Sequence, residues 1–132
     1  MITLADTYYP LEGTYSLDKG VHFDMPTNGE YRLLTGNGAY RFTGSLTING
    51  SANDILDVRI VRSSDGGTTW PDVINHLRRP VNNVLGASND VAFFEISFID
   101  TLEKDDRVRI EVENIGDTNN VTVLNDSYIN VS

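Results

Sequence analysis

Cysteine is absent from this 132-residue chain. That excludes disulfides, thiol nucleophiles and Cys-based metal sites. Histidine occurs only at His22 and His76, and lysine only at Lys19 and Lys104. Nucleophilic catalysis needs a nucleophile, a base and an orienting group. Two histidines with no G-x-S-x-G elbow do not supply that set. There is one tryptophan, and aromatics make up 9% of the chain, so no sugar-stacking groove is evident. Carboxylates that could be paired for glycoside hydrolysis fall mostly on turns or on the outer sides of strands. The chain does not read as an enzyme. No run of eighteen apolar residues exists, so no helix is expected to span a membrane. The opening "MITLADTYYPLEG" lacks the basic and long apolar regions of a secretory signal. Clustered cations are missing too: the net charge is −9, from 19 acidic and 10 basic residues. Phosphate backbones and anionic lipids recruit clustered Lys and Arg, so neither nucleic acid nor membrane is an expected partner. The excess negative charge serves solubility.

What the chain does have is period-2 alternation. "AYRFTGSLTI" places Tyr40, Phe42, Leu46 and Ile48 on one face and Arg41, Thr43, Ser45 and Thr47 on the other. "ILDVRIVR" opposes Leu56, Val58 and Ile60 to Asp57 and Arg59, with Ile55 and Val61 blurring the pattern. "VAFFEISFI" sets Ala92, Phe94, Ile96 and Phe98 against Glu95 and Ser97, while Phe93 sits on the polar side. "RVRIEVE" is the cleanest, with Val108, Ile110 and Val112 inward and Arg107, Arg109, Glu111 and Glu113 outward. "VHFDM", "YRLLT" and "NVTVLNDSYINV" add shorter strands, the last breaking near Asn125-Asp126. "PDVINHLRRP" reads as a helical turn, with Asp72 and His76 as an i,i+4 pair, or as an irregular loop. Short strands separated by Asn-Gly and Asp-Gly turns give an all-β domain, a sandwich or a barrel.

"RSSDGGTTW", residues 62–70, fits the pattern S-x-D-x-G-x-x-W through Ser63, Asp65, Gly67 and Trp70. It resembles the Asp-box of sialidases and related β-propellers. Propellers carry that hairpin once per blade, and one copy cannot build one. The expectation is a structural hairpin: Asp65 accepts bonds from turn amides, the glycines take positive φ, and Trp70 packs back across the turn. Loops such as "NGSANDILD" offer Asn53, Asp54 and Asp57 as oxygen donors, but the spacing is not that of an EF-hand. No metal or cofactor is expected.

From about residue 38 onward the strand order resembles the C1q/TNF-like jelly roll. "GAYRFTGSLTI" is similar to that family's Gly-x-Tyr-x-Phe strand. "TLEKDDRVRIEVEN" is similar to its leucine, tight turn and Val-alternating strand, with Asp105 where the turn has glycine. "SYINVS" is similar to its terminal strand. The resemblance implies a single jelly-roll β-sandwich over residues 1–132, with residues 1–15 as an N-terminal arm, assembled as a homotrimer.

The chain also resembles, in general character, the auxiliary proteins of tailed bacteriophages. That implies a virion structural protein on the capsid surface, a head decoration (cement) protein bound to the major capsid protein. The alternative is a receptor- or glycan-binding fibre tip, and more distantly a carbohydrate-active protein. A start at Met with little room for a shaft favours decoration. The expected trimer interface is Arg41, Thr43 and Ser45 together with Arg107, Arg109, Glu111 and Glu113, the arginines of one protomer facing the glutamates of another. Tyr8, Tyr9 and Tyr15 are expected to form a partner-docking arm, or to fray.

Overall fold

The computed structural model of the chain describes residues 2, 4–11, 16–18, 23–27, 29–51, 53–81, 90–118, 120–124 and 127–131. The alternating stretches become its long strands, because an apolar side chain at every second position can bury one side of a pleated segment. These are β5 (Gly38–Gly50), β6 (Ile55–Ser63), β8 (Asp90–Leu102) and β9 (Arg107–Ile115). The other strands are β1 (Tyr9–Pro10), β2 (Ser16–Asp18), β3 (Phe23–Thr27), β4 (Glu30–Leu33), β7 (Asp72–Pro80), β10 (Thr122–Val123) and β11 (Tyr128–Val131). Among the described residues there is no helix.

The strands form two sheets. The first, sheet A, runs β3-β4-β9-β6-β7, with β1 pairing β9 beyond the end of β4. The second, sheet B, runs β8-β5-β11-β2, with β10 pairing β5 beyond β11. Among the described residues every pairing is antiparallel except β2 with β11. One apolar cluster lies between the sheets. Leu33, Leu56, Val58, Ile60, Val108, Ile110 and Val112 of sheet A meet Phe42, Leu46, Ile48, Phe94, Ile96 and Ile129 of sheet B, and all are buried. Phe42 and Phe98 stack with ring centroids 4.7 Å apart. The fold is therefore an all-β sandwich, as the alternation implies.

Two local features differ from the sequence reading or explain it. The segment read as a helical turn or loop is strand β7. Its apolar residues looked helical because the strand carries a bulge: Ile60 pairs with Asn75 but Val61 pairs with Val73, which leaves Ile74 as the extra residue. The shift places Val73, Ile74 and Leu77 out of step with a simple alternation. Asp72 and His76 accordingly do not pair with each other; Asp72 binds Arg62. The tight turn before β9 has Asp105 at φ 71°, the left-handed conformation that glycine supplies most readily. Asp105 N–H donates to the Leu33 carbonyl at 2.9 Å, which fastens the turn to β4.

The N-terminal segment is held by its own chain. Asp6 N–H donates to the Asn114 carbonyl at 3.0 Å, Leu11 N–H to Ile110 at 2.8 Å, and β1 lies between as an added strand on β9. Tyr8 and Tyr9 are thus engaged within the protomer rather than extended toward a partner, because the open edge of β9 offers unpaired backbone groups that a nearby strand satisfies. Tyr15, the third residue of the expected arm, lies outside the described residues.

Candidate functional site

The outer faces of the two sheets differ in kind. Arg107, Arg109, Glu111 and Glu113 stand on β9 in sheet A, whereas Arg41, Thr43 and Ser45 stand on β5 in sheet B. The residues expected to share one trimer face are divided between opposite sides of the molecule.

On sheet A the charges are paired within the chain. The β6–β9 register sets Asp57 opposite Glu113 and Arg59 opposite Glu111. Arg59 Nε donates to Glu111 Oε1 at 2.7 Å, and Arg109 Nη2 donates to Glu111 Oε2 at 2.6 Å. The Glu111 side chain is only 4% exposed between its two arginines. Arg107 Nη1 donates to Glu30 Oε1 at 3.2 Å. Aromatic rings close both ends of the row. The Arg59 guanidinium lies 3.7 Å from the Tyr8 ring centroid, and that of Arg109 lies 4.3 Å from Trp70. Each such contact adds about 0.5–2 kcal/mol.

Beside this row Asp57 gathers a second group. Arg78, from the edge strand β7, grips it with two bonds, Nε to Oδ1 at 2.6 Å and Nη2 to Oδ2 at 2.8 Å. Tyr8 Oη donates to Asp57 Oδ2 at 3.4 Å and lies 3.3 Å from His76 Nε2. The Arg78 bonds, against the opposing effect of burial and with help from Glu113 and His76, bring Asp57 down to about 2. Burial, reinforced by the neighbouring Asp57, pushes Glu113 up from the ordinary carboxylate range. Burial and the two carboxylates push Tyr8 up to about 12. The result is a cross-strand carboxylate pair with a tyrosine, a histidine and an arginine at its rim. It is a closed arrangement, because Asp57 is 2% exposed and its oxygens are taken by Arg78 and Tyr8. The sequence carried a signal for only half of it: Arg59 on one strand is complementary to Glu111 on its antiparallel neighbour, whereas Asp57 then faces the like-charged Glu113. Only the register shows that the strands are adjacent. Among the described residues no three His, Asp or Glu side chains come together as a metal site.

The stretch resembling an Asp-box is the β6–β7 turn. Asp65 Oδ1 accepts from Ser63 Oγ at 2.6 Å, Thr68 N–H at 3.1 Å and Thr69 N–H at 2.9 Å. Those bonds hold its carboxyl well below the usual range. Gly67 N–H donates to Ser63 Oγ at 2.9 Å, and Trp70 Nε1 donates to the Gly67 carbonyl at 3.2 Å. Gly66 and Gly67 take φ of 76° and 88°. The side chains of Ser63, Asp65, Thr69 and Trp70 all bond within the loop, so the motif builds a turn that aims Trp70 at Arg109.

Sheet B presents the opposite character. Phe93, Ile99 and Tyr128 point outward and are 55%, 61% and 43% exposed. The β5–β8 and β5–β11 registers place Glu95, Ser45 and Tyr128 in one cross-strand row and Ser97, Thr43 and Asn130 in the next. Arg41 stands opposite Ile99, and Thr47 opposite Phe93. Thr43, Ser45 and Ser97 put small side chains in the middle of this face, between Ile99 toward one end and Phe93 toward the other, with Tyr128 beside them on β11. The sequence marked Phe93 as an anomaly, an aromatic on the polar side of its strand. By the same alternation Ile99 falls on that polar side too, whereas Tyr128 carried no such mark. No protein-family model matches the chain, and no curated protein matches it.

Proposed function

We propose that this chain is an assembly protein that binds copies of itself through the outer face of sheet B, as a homotrimer, and that the trimer decorates a phage head by clamping adjacent copies of the major capsid protein. The observation that carries the self-association is the exposure of Phe93, Ile99 and Tyr128 on one face; sheet A also exposes Ile55 and Val73, but its outer face is dominated by charges paired within the chain. Apolar patches of this kind, rimmed by polar residues, mark interaction surfaces. Two 13-residue strands are about 44 Å long, and with β11 alongside they give a plan area on the order of 500 Å², against roughly 800 Å² per partner in a standard interface, so flanking surface must contribute to a stable trimer.

The threefold assembly and the virion setting rest on the resemblance to C1q/TNF-like domains and to phage auxiliary proteins. The jelly-roll form of the sandwich has support in the strand order. The chain crosses from sheet A to sheet B and back repeatedly, so that β2-β11-β5-β8 faces β3-β4-β9-β6-β7, the winding expected of paired Greek keys. Binding to an assembled shell would stabilise it by mass action.

Sedimentation equilibrium should give three times the 14.7 kDa chain mass. Phe93→Lys combined with Ile99→Lys should return the protein to a folded monomer, and the wild type should co-sediment with phage heads at symmetric copy number. A wild type that stays monomeric, or heads that leave it in the supernatant, would overturn the proposal.

A further inference from the structure

Nine of the ten cations fall among the described residues, and six of them, Arg32, Arg59, Arg62, Arg78, Arg107 and Arg109, are in ion pairs within the chain. Arg41 is not. In a chain with a charge of −9, an arginine without a carboxylate partner is out of keeping with its neighbours. It stands exposed on the outer face of sheet B, opposite Ile99. On the same face, opposite Ser45, stands an exposed carboxylate, Glu95. Among the described residues neither side chain has an ion-pair partner.

The two are too far apart to meet within one protomer. Arg41 pairs in register with residue 99 and Glu95 with residue 45, a separation of four residues along the strands, or about 14 Å. Each charge borders an exposed apolar group: Arg41 lies beside Ile99, and Glu95 shares its row with Tyr128. A surface that carries one cation and one anion at a fixed spacing, each next to an apolar group, is complementary to itself.

We infer that Arg41 of one protomer pairs with Glu95 of the next, and that this pair sets the register in which the sheet B faces meet; the inference rests on the self-association proposed above. In a closed ring the contact is heterologous, one end of the face meeting another part of the neighbour's face, and each interface uses the pair once. Ile99 and Tyr128 would cover the pair from water, where charge complementarity governs which alignment forms. The pairing between protomers expected for Arg107 and Arg109 thereby moves to the opposite sheet.

A charge swap tests this. Arg41→Glu and Glu95→Arg should each weaken association at least about tenfold, since each sets like charges against each other. The double variant, with the charges exchanged, should recover most of the wild-type association. All three should keep the wild-type thermal midpoint as dilute monomers, because both positions are exposed. Sedimentation equilibrium across a concentration series reads the outcome. A wild-type trimer whose single variants still associate normally, or whose double variant fails to recover, would overturn the pair and leave self-association standing. A wild type that is monomeric at every concentration would overturn both, and if it nevertheless coated particles, the face would belong to a partner of different sequence.

Discussion

At the scale of single residues, Glu111 does the most to fasten the outer side of sheet A. Its carboxylate is buried and shared by Arg59 and Arg109. Replacing it with alanine leaves two adjacent arginines without their anion, and should cost about 2–3 kcal/mol, measured by urea denaturation. Arg59→Ala should cost less, since Arg109 remains on Glu111. Asp105 offers the opposite case. Its φ of 71° strains a residue with a Cβ, so Asp105→Gly should raise stability by about 0.5 kcal/mol, the relief of strain being partly offset by added freedom in the unfolded chain. If that variant instead loses stability, the turn depends on the aspartate side chain.

At the scale of elements, the seating of β11 against β5 depends on Gly44. A Cβ there would lie 2.3 Å from the Tyr128 carbonyl oxygen and 3.0 Å from the Ile129 Cα, and both atoms are backbone. Gly44→Ala should therefore lift β11 and cost about 3 kcal/mol, with hydrogen exchange accelerating first at residues 128–131. Much of the element level was legible in the sequence. The alternations at residues 40–48, 55–62, 91–99 and 107–113 became β5, β6, β8 and β9, with the predicted sides inward, because burial of one side is a local property of the pattern. The strand β7 was not legible: its bulge at Ile74 breaks the alternation, and as an edge strand it carries polar residues on both sides. The candidate surface was legible only in part. Arg41, Thr43 and Ser45 were identified, but they were grouped with Arg107 to Glu113 on another sheet. Which strands are neighbours is a long-range matter that period-2 patterning does not encode. The pairing of Tyr9 and Pro10 was not legible for the same reason, since their partner β9 lies about a hundred residues away in the chain.

At the scale of the whole molecule, the carboxylate pair gives stability a defined pH profile. Asp57 is lowered to about 2, mainly by Arg78, so its contribution is present above its unfolded value of about 3.9 and is lost as the pH falls toward 2. Glu113 is raised by burial and by Asp57, so its contribution is complete below its unfolded value of about 4.3 and is lost as the pH rises through its folded value. Together they place the maximum in the mildly acidic range. Calorimetry from pH 2 to 8 should show it, and Glu113→Gln should raise the thermal midpoint at neutral pH and flatten the decline on that side. An unchanged profile would show that the pair does not govern it. The order of strands has a further consequence, in time rather than in space. Sheet B has as one of its two interior members β11, which is the last of the described strands to be synthesised. A ribosome adding roughly 5–20 residues per second takes about 4–16 s to pass from residue 50 to residue 128. Throughout that interval one edge of β5 waits without its neighbour, and the nascent sandwich stays open along the seam that Tyr128 to Val131 will close.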